Sequence, residues 1–281
     1  MRKHGNNMTP HIGFIGAGNM ATALAGGLRA RGHAPERLAF SDPSEAQLQG
    51  FADQGCLTGR DNAAVVARSD VLVLAVKPQV MREVLKPLAA VVQQRRPLVV
   101  SIAAGIPVAS IERWLGGDIA VVRAMPNTPA LVQSGATGLY ANTRVSREQR
   151  QLAESVLSAV GLTVWVEEEA LIDSVTAVSG SGPAYFFYVM ESMIAAGVAL
   201  GLDEKTARAL TLQTALGAAQ MAITADVPPG ELRRRVTSPG GTTERAVAAF
   251  DEAGLRATFN QALSACALRG RELAQQLGNQ D

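Results

Sequence analysis

Histidine and cysteine are scarce in this chain of 281 residues. His4, His11 and His33 are the only histidines, and Cys56 and Cys266 the only cysteines. That excludes a Cys-x-x-Cys pair and a disulfide framework, and leaves too few ligands for a Cys/His zinc site. A Ser-His-Asp triad would have to borrow an N-terminal histidine. Charge of one sign is lacking as well: a net +1 makes no basic field for nucleic acid or an anionic membrane. No apolar run follows the charged residues 1–10, so they are not read as a secretory signal. The first eight residues read as an extension, with Met8 as an alternative start. The most apolar stretch, 184–200, carries Glu191 at its centre, which lipid disfavours. It is expected to be a helix buried in protein, in a subunit interface, within a cytoplasmic protein. Aromatics are 4% against 27 glycines, which points to tight helix packing and glycine-shaped loops. Chemistry then falls to an organic cofactor or to groups other than histidine, with no metal.

What is present is an alternation. Short apolar runs at 11–15, 37–41, 70–76, 98–102, 119–124, 138–141 and 163–166 read as strands. Between them, 20–31, 45–54, 80–93, 107–114 and 147–160 read as helices. Strands and helices alternating at this spacing give a mostly parallel sheet with helices on both faces. The run Asp70-Val71-Leu72-Val73-Leu74-Ala75-Val76 is apolar without a break after its first residue, as in a strand covered on both sides. After the acidic Glu167-Glu168-Glu169 the strand signals vanish, and 184–200, 203–225, 229–236, 243–253 and 255–277 read as helices. The chain therefore divides near residue 166 into a Rossmann-type α/β domain, 1–166, and an all-α domain, 167–281, that buries poorly alone and is expected to dimerise.

Three loops carry the chemical signal. Gly16-x-Gly18-x-x-Ala21 leaves the first strand and opens a helix, the dinucleotide fingerprint. The first glycine permits the turn, the second lets backbone approach a pyrophosphate, and the helix N-terminus offers free N–H groups. Asp42, ending the second strand, is placed to accept from ribose hydroxyls and repel a 2′-phosphate, which leans the chain to NADH. As an alternative, it caps the next turn. Lys77 and the segment around Ala103 end two further strands, where ligands bind in open sheets. In the second half, Ser179-Gly180-Ser181-Gly182-Pro183 precedes the apolar helix, its glycines allowing close approach of a cofactor or of another backbone. Finally, Ser238-Pro239-Gly240-Gly241-Thr242-Thr243 feeds a helix. Such a loop binds a carboxylate through N–H and hydroxyl groups, unless Thr242 or Thr243 only caps its own helix.

The segments IGFIGAGNMA (12–21), AVKPQ (75–79), AAGI (103–106), MPNTP (125–129), SGSGPAY (179–185) and VTSPGGTTE (236–244) together resemble the pyrroline-5-carboxylate reductase family, in that family's order. The resemblance implies reduction of 1-pyrroline-5-carboxylate to L-proline by NADPH or NADH, the last step of proline synthesis, in dimers joined through the helical domain and sometimes assembled into decamers. Carried over, it implies that Ile15, Gly16, Ala17, Gly18, Asn19, Met20, Asn62, Ala75, Val76, Lys77, Pro78, Ile102, Ala103 and Ala104 line the dinucleotide. It implies further that Ser238, Gly241, Thr242 and Thr243 hold the substrate, and that Glu168, or its neighbour Glu169, approaches it. The Thr243 hydroxyl would bond the ring nitrogen. The chain departs from the family at Ala195, where an acid is usual, at Arg233-Arg234-Arg235, and at Asp42, where a serine can meet a 2′-phosphate.

Two other readings stay open. A β-hydroxyacid dehydrogenase also joins a Rossmann domain to a helical one, but would need a lysine in the first long helix, and 184–203 contain none. A dinucleotide-binding redox sensor without turnover would not need the 238–243 loop.

Overall fold

The computed structural model describes residues 9–278; the extension read at residues 1–8, with His4 and Met8, lies outside them. Eight strands form one sheet: β1 (Ile12–Ile15), β2 (Leu38–Ser41), β3 (Leu57–Gly59), β4 (Val71–Leu74), β5 (Leu98–Ser101), β6 (Val121–Met125), β7 (Gly135–Ala141) and β8 (Gly161–Trp165), in the order β3-β2-β1-β4-β5-β6-β7-β8. Every neighbouring pair is parallel except β6 with β7. The order reverses between β1 and β4, which opens a crevice beyond their carboxyl ends.

Helices α1 (Asn19–Ala30), α2 (Glu45–Ala52), α3 (Asn62–Arg68), α4 (Met81–Leu85), α5 (Ala89–Arg95), α6 (Val108–Trp114) and α7 (Arg147–Leu157) connect the strands. Strands β1, β2, β4 and β5 are buried at every residue. Their alternate side chains feed two cores: Phe14, Phe40 and Val73 pack on one face, Ile15, Leu72 and Leu74 on the other. That explains why these strands read as continuous apolar runs rather than alternating ones. Two elements had no signal in the sequence. β3 is three residues long with Leu57 more than a third exposed, and α3 is short, started by Asp61, whose carboxylate accepts from Ala63 N at 2.9 Å.

Beyond the sheet follow α8 (Leu171–Val175), a π-helical turn at Thr176–Gly180, α9 (Gly182–Ala199), α10 (Glu204–Thr224), α11 (Pro229–Arg235), α12 (Thr242–Glu252) and α13 (Leu255–Gly278). The chain falls into two compact units, one of residues up to Ser181 together with those from Cys266, the other of Gly182–Ala265. The division near 166 read from the sequence is therefore displaced by about one short helix. Residues 167–181 are helical in sequence texture, yet α8 lies against the sheet: a Cβ at Gly138 of β7 would come within 2.5 Å of a Val175 methyl carbon. The end of α13 also belongs to the sheet-bearing unit, since Ser110 Oγ and Arg113 Nη2 donate to Gly278 O at 3.0 and 2.6 Å.

In the second unit α9 and α10 pack at a small-residue contact, with Gly197 facing Ala207. The helix expected to be buried in a subunit interface is bare within the single chain. Phe186, Phe187 and Tyr188 are 68%, 62% and 71% exposed. No described helix is long and apolar enough to cross a membrane.

Candidate active site

The glycine loop is a tight strand-to-helix turn that leaves the start of α1 open. Gly16 has φ +100°, and a Cβ there would meet the Ala75 carbonyl oxygen at 2.7 Å, so the turn requires glycine. Gly18 is the N-cap of the 12-residue α1, and no side chain caps it. A Cβ built on Gly18 meets nothing within 4 Å. The space above it is open, and the uncapped amides of α1 face it with the positive end of the helix dipole. Such a cradle fits a pyrophosphate. Ile15 ends β1, Ala17 lies in the turn, and Asn19 and Met20 open α1.

Asp42 sits beside it, at the end of β2. One carboxylate oxygen accepts from Ala17 N at 3.0 Å and the other from Ser44 N at 2.9 Å. The residue therefore fastens the glycine loop and caps its own turn. Ala75, Val76, Lys77 and Pro78 follow β4, and Ile102, Ala103 and Ala104 follow β5, the two strands beside the crevice. Asn62 starts α3 just past the carboxyl end of β3, which neighbours β2.

The acidic segment resolves into two different environments. Glu168 is exposed. Glu169 turns inward: its Oε1 accepts from Val108 N at 2.8 Å and from Arg123 Nη1 at 3.0 Å. Sequence reasoning missed Arg123, 4% exposed, although an arginine inside the apolar run 119–124 was a visible signal: a charge in a buried strand demands a partner. Asn127 was missed too. It is buried, accepts from Ala136 N at 2.8 Å and donates to Ser179 O at 3.0 Å. It thereby ties MPNTP to the π-helical turn that leads into SGSGP. Gly180 of that turn is packed on Met125, so close backbone approach is one use of this glycine.

In the second unit, the 238–243 loop is built by its own backbone. Gly241 N donates to Ser238 O at 3.0 Å, and Gly240, at φ +72°, donates to Glu244 Oε2 at 2.7 Å. The N-cap of α12 is Gly241, with no side-chain cap. Thr242 and Thr243 are thus the first helical residues rather than caps, and their hydroxyls have no hydrogen-bond partner among the described residues. Glu244 takes one of the N–H groups expected for a ligand. The amides of Thr242 and Thr243, the two hydroxyls and Ser238 remain to receive an anion at the start of an 11-residue helix. Among the described residues no group of acidic, histidine or cysteine side chains could hold a metal ion.

Two family models match the chain: pyrroline-5-carboxylate reductase dimerisation over residues 169–273, and NADP oxidoreductase, coenzyme F420-dependent, over 11–105. A pyrroline-5-carboxylate reductase of Pseudomonas aeruginosa is 55% identical over 96% of this chain and 99% of its own length. The solved structure of a pyrroline-5-carboxylate reductase from Coxiella burnetii superposes with a TM-score of 0.91 at 45% identity, covering 95% of this chain and 99% of that one. A Plasmodium falciparum pyrroline carboxylate reductase, solved with NADP bound, gives 0.84 at 28% identity over 94% and 98% of the two chains.

Proposed function

The chain belongs to the pyrroline-5-carboxylate reductase family, and from that premise we propose that it reduces 1-pyrroline-5-carboxylate to L-proline at the expense of NADPH or NADH. The observation that carries the reading is the pairing of an open glycine cradle at the N-terminus of α1 with an uncapped Ser-Pro-Gly-Gly-Thr-Thr loop at that of α12. The one is shaped for a pyrophosphate, the other for a small carboxylate.

When bound, the reduced nicotinamide supplies the hydride. The protein supplies position and electrostatics. Gly16 and Gly18 admit the dinucleotide backbone, and residues 75–78 and 102–104 line it. Ser238, Gly241 and Thr242 hold the substrate carboxylate. The Thr243 hydroxyl meets the ring nitrogen, which fixes the orientation of the imine. In the acidic segment Glu168 is left to approach the substrate, because the Glu169 carboxylate is taken up by Val108 N and Arg123 while Glu168 is exposed. Asp42 favours NADH by charge. Cys56 and Cys266 are both unpaired, in keeping with the reducing cytoplasm, and the exposed face of α9 and α10 is where a second copy docks. The test is oxidation of NADPH or NADH on addition of 1-pyrroline-5-carboxylate, with L-proline as the product.

A further inference from the structure

One buried cation joins the acidic segment to the loop between β5 and α6. Arg123 lies on β6, between Ser101 of β5 and Tyr140 of β7. Its side chain is 5% exposed. A guanidinium in such a place is costly unless its charge is met. Its Nη1 reaches Glu169 Oε1 at 3.0 Å, its Nη2 lies 3.9 Å from Asp173 Oδ1, and its Nε is buried without a partner.

Glu169 is the counter-charge that matters. Asp173 lies farther from the guanidinium, at 3.9 Å, and burial pushes its carboxyl above its ordinary range against the pull of Arg123 and Arg271. The same Glu169 oxygen that meets Arg123 also accepts from Val108 N, the first residue of α6. The carboxylate is therefore held from two sides, by a cation and by a helix N-terminus. Just before that N-terminus runs the loop 102–107, which carries Ile102, Ala103 and Ala104. On its other side the loop is backed by α13, where a Cβ at Gly105 would meet Leu273 Cβ at 3.2 Å.

We propose that Arg123 is a positioning residue that acts through Glu169 to clamp the 102–107 loop for dinucleotide binding. The proposal rests on the reading of Ile102–Ala104 as cofactor-lining. Arg123 touches no cofactor; it keeps the Glu169 carboxylate pointed at Val108 N. Without it, that oxygen has reason to turn to water, and the start of α6 loses its anchor.

The test is the dissociation constant of NADPH and of NADH, read by nicotinamide fluorescence with no substrate present, on wild type, Arg123→Lys, Glu169→Gln and the double variant. Lysine keeps the charge but not the fork. Glutamine keeps an oxygen for Val108 N but not the charge. Each single change is expected to raise Kd about tenfold, the scale of one lost charge-assisted hydrogen bond. The double change is expected to add less than about threefold more, because both break one contact. A merely structural arginine would lower the melting temperature without this non-additivity. Kd within about twofold of wild type in Glu169→Gln, or losses that multiply in the double variant, would overturn the proposal. If Arg123→Lys fails to fold, the more exposed Glu169→Gln decides alone. A wild type that binds dinucleotide but leaves 1-pyrroline-5-carboxylate unreduced would end the proposed function and leave this comparison standing.

Discussion

A methyl group added at Gly18 meets open space, whereas one added at Gly16 meets the Ala75 carbonyl. The two glycines of one fingerprint thus serve different ends, and substitution separates them. Gly18→Ala is expected to melt within about 2 °C of wild type, no contact being broken. It should nonetheless weaken dinucleotide binding about tenfold or more, because the methyl occupies the approach of the pyrophosphate. Thermal melting and nicotinamide fluorescence check both halves. At Thr243 the hydroxyl is free of partners among the described residues, so its loss is expected to cost the fold little. Thr243→Ala is expected to lower kcat/KM by about 10–1000-fold, the range for one oriented polar contact in a transition state. Kinetics within twofold of wild type would remove the hydroxyl from the mechanism. Asp42 does two things, holding Ala17 N and presenting charge. Asp42→Ser should therefore raise the ratio of NADPH to NADH efficiency while loosening the loop for both. An unchanged ratio would show that the charge does not discriminate.

At the scale of elements, burial decided what could be seen in the sequence. Strands β1, β4 and β5 are buried throughout and announce themselves as apolar runs. The exposed β3 and the short α3 do not, because neither the period nor the length of a half-buried element is there to be read. α8 groups with the later helices in the sequence for another reason: its residues are helical in texture, and contacts such as Val175 over Gly138 place it in the sheet-bearing unit. The glycine loop and the Ser-Pro-Gly-Gly loop stood out in the sequence because glycine and hydroxyl residues mark backbone open to close approach, the role proposed for both. The Arg123–Glu169 pair was not, since it joins residues 46 apart that no local pattern links. The Val175–Gly138 contact is open to trial. Gly138→Val would put a Cβ within 2.5 Å of a Val175 methyl carbon, and is expected to cost about 1–3 kcal/mol, as overpacking does. Urea unfolding measures it; an unchanged midpoint would mean that α8 yields without penalty.

At the scale of the whole molecule, the helical unit is incomplete in a single chain. A groove of about 670 Å³ runs between α9 and α10, lined by Phe187, Met190, Ile194 and Leu212 together with Glu191 and Arg208. Apolar surface of this kind is covered by protein in a stable state. The family match over 169–273 is a dimerisation domain, and the cover proposed for this groove is a second copy. Phe187→Glu is expected to convert the sedimenting oligomer to monomer at micromolar concentration, since it buries an unpaired charge in the contact. An unaltered sedimentation coefficient would place the interface elsewhere. The proposed chemistry rests on a bound nicotinamide and on backbone amides and hydroxyls. The most direct measurement of that claim is nicotinamide absorbance over time in the purified protein, with NADPH and with NADH, before and after adding 1-pyrroline-5-carboxylate. Absorbance is expected to fall only after the addition, with L-proline formed in equal amount and the rate sharply lowered in Thr243→Ala. Steady absorbance with both dinucleotides, in folded oligomer that binds them, would contradict it.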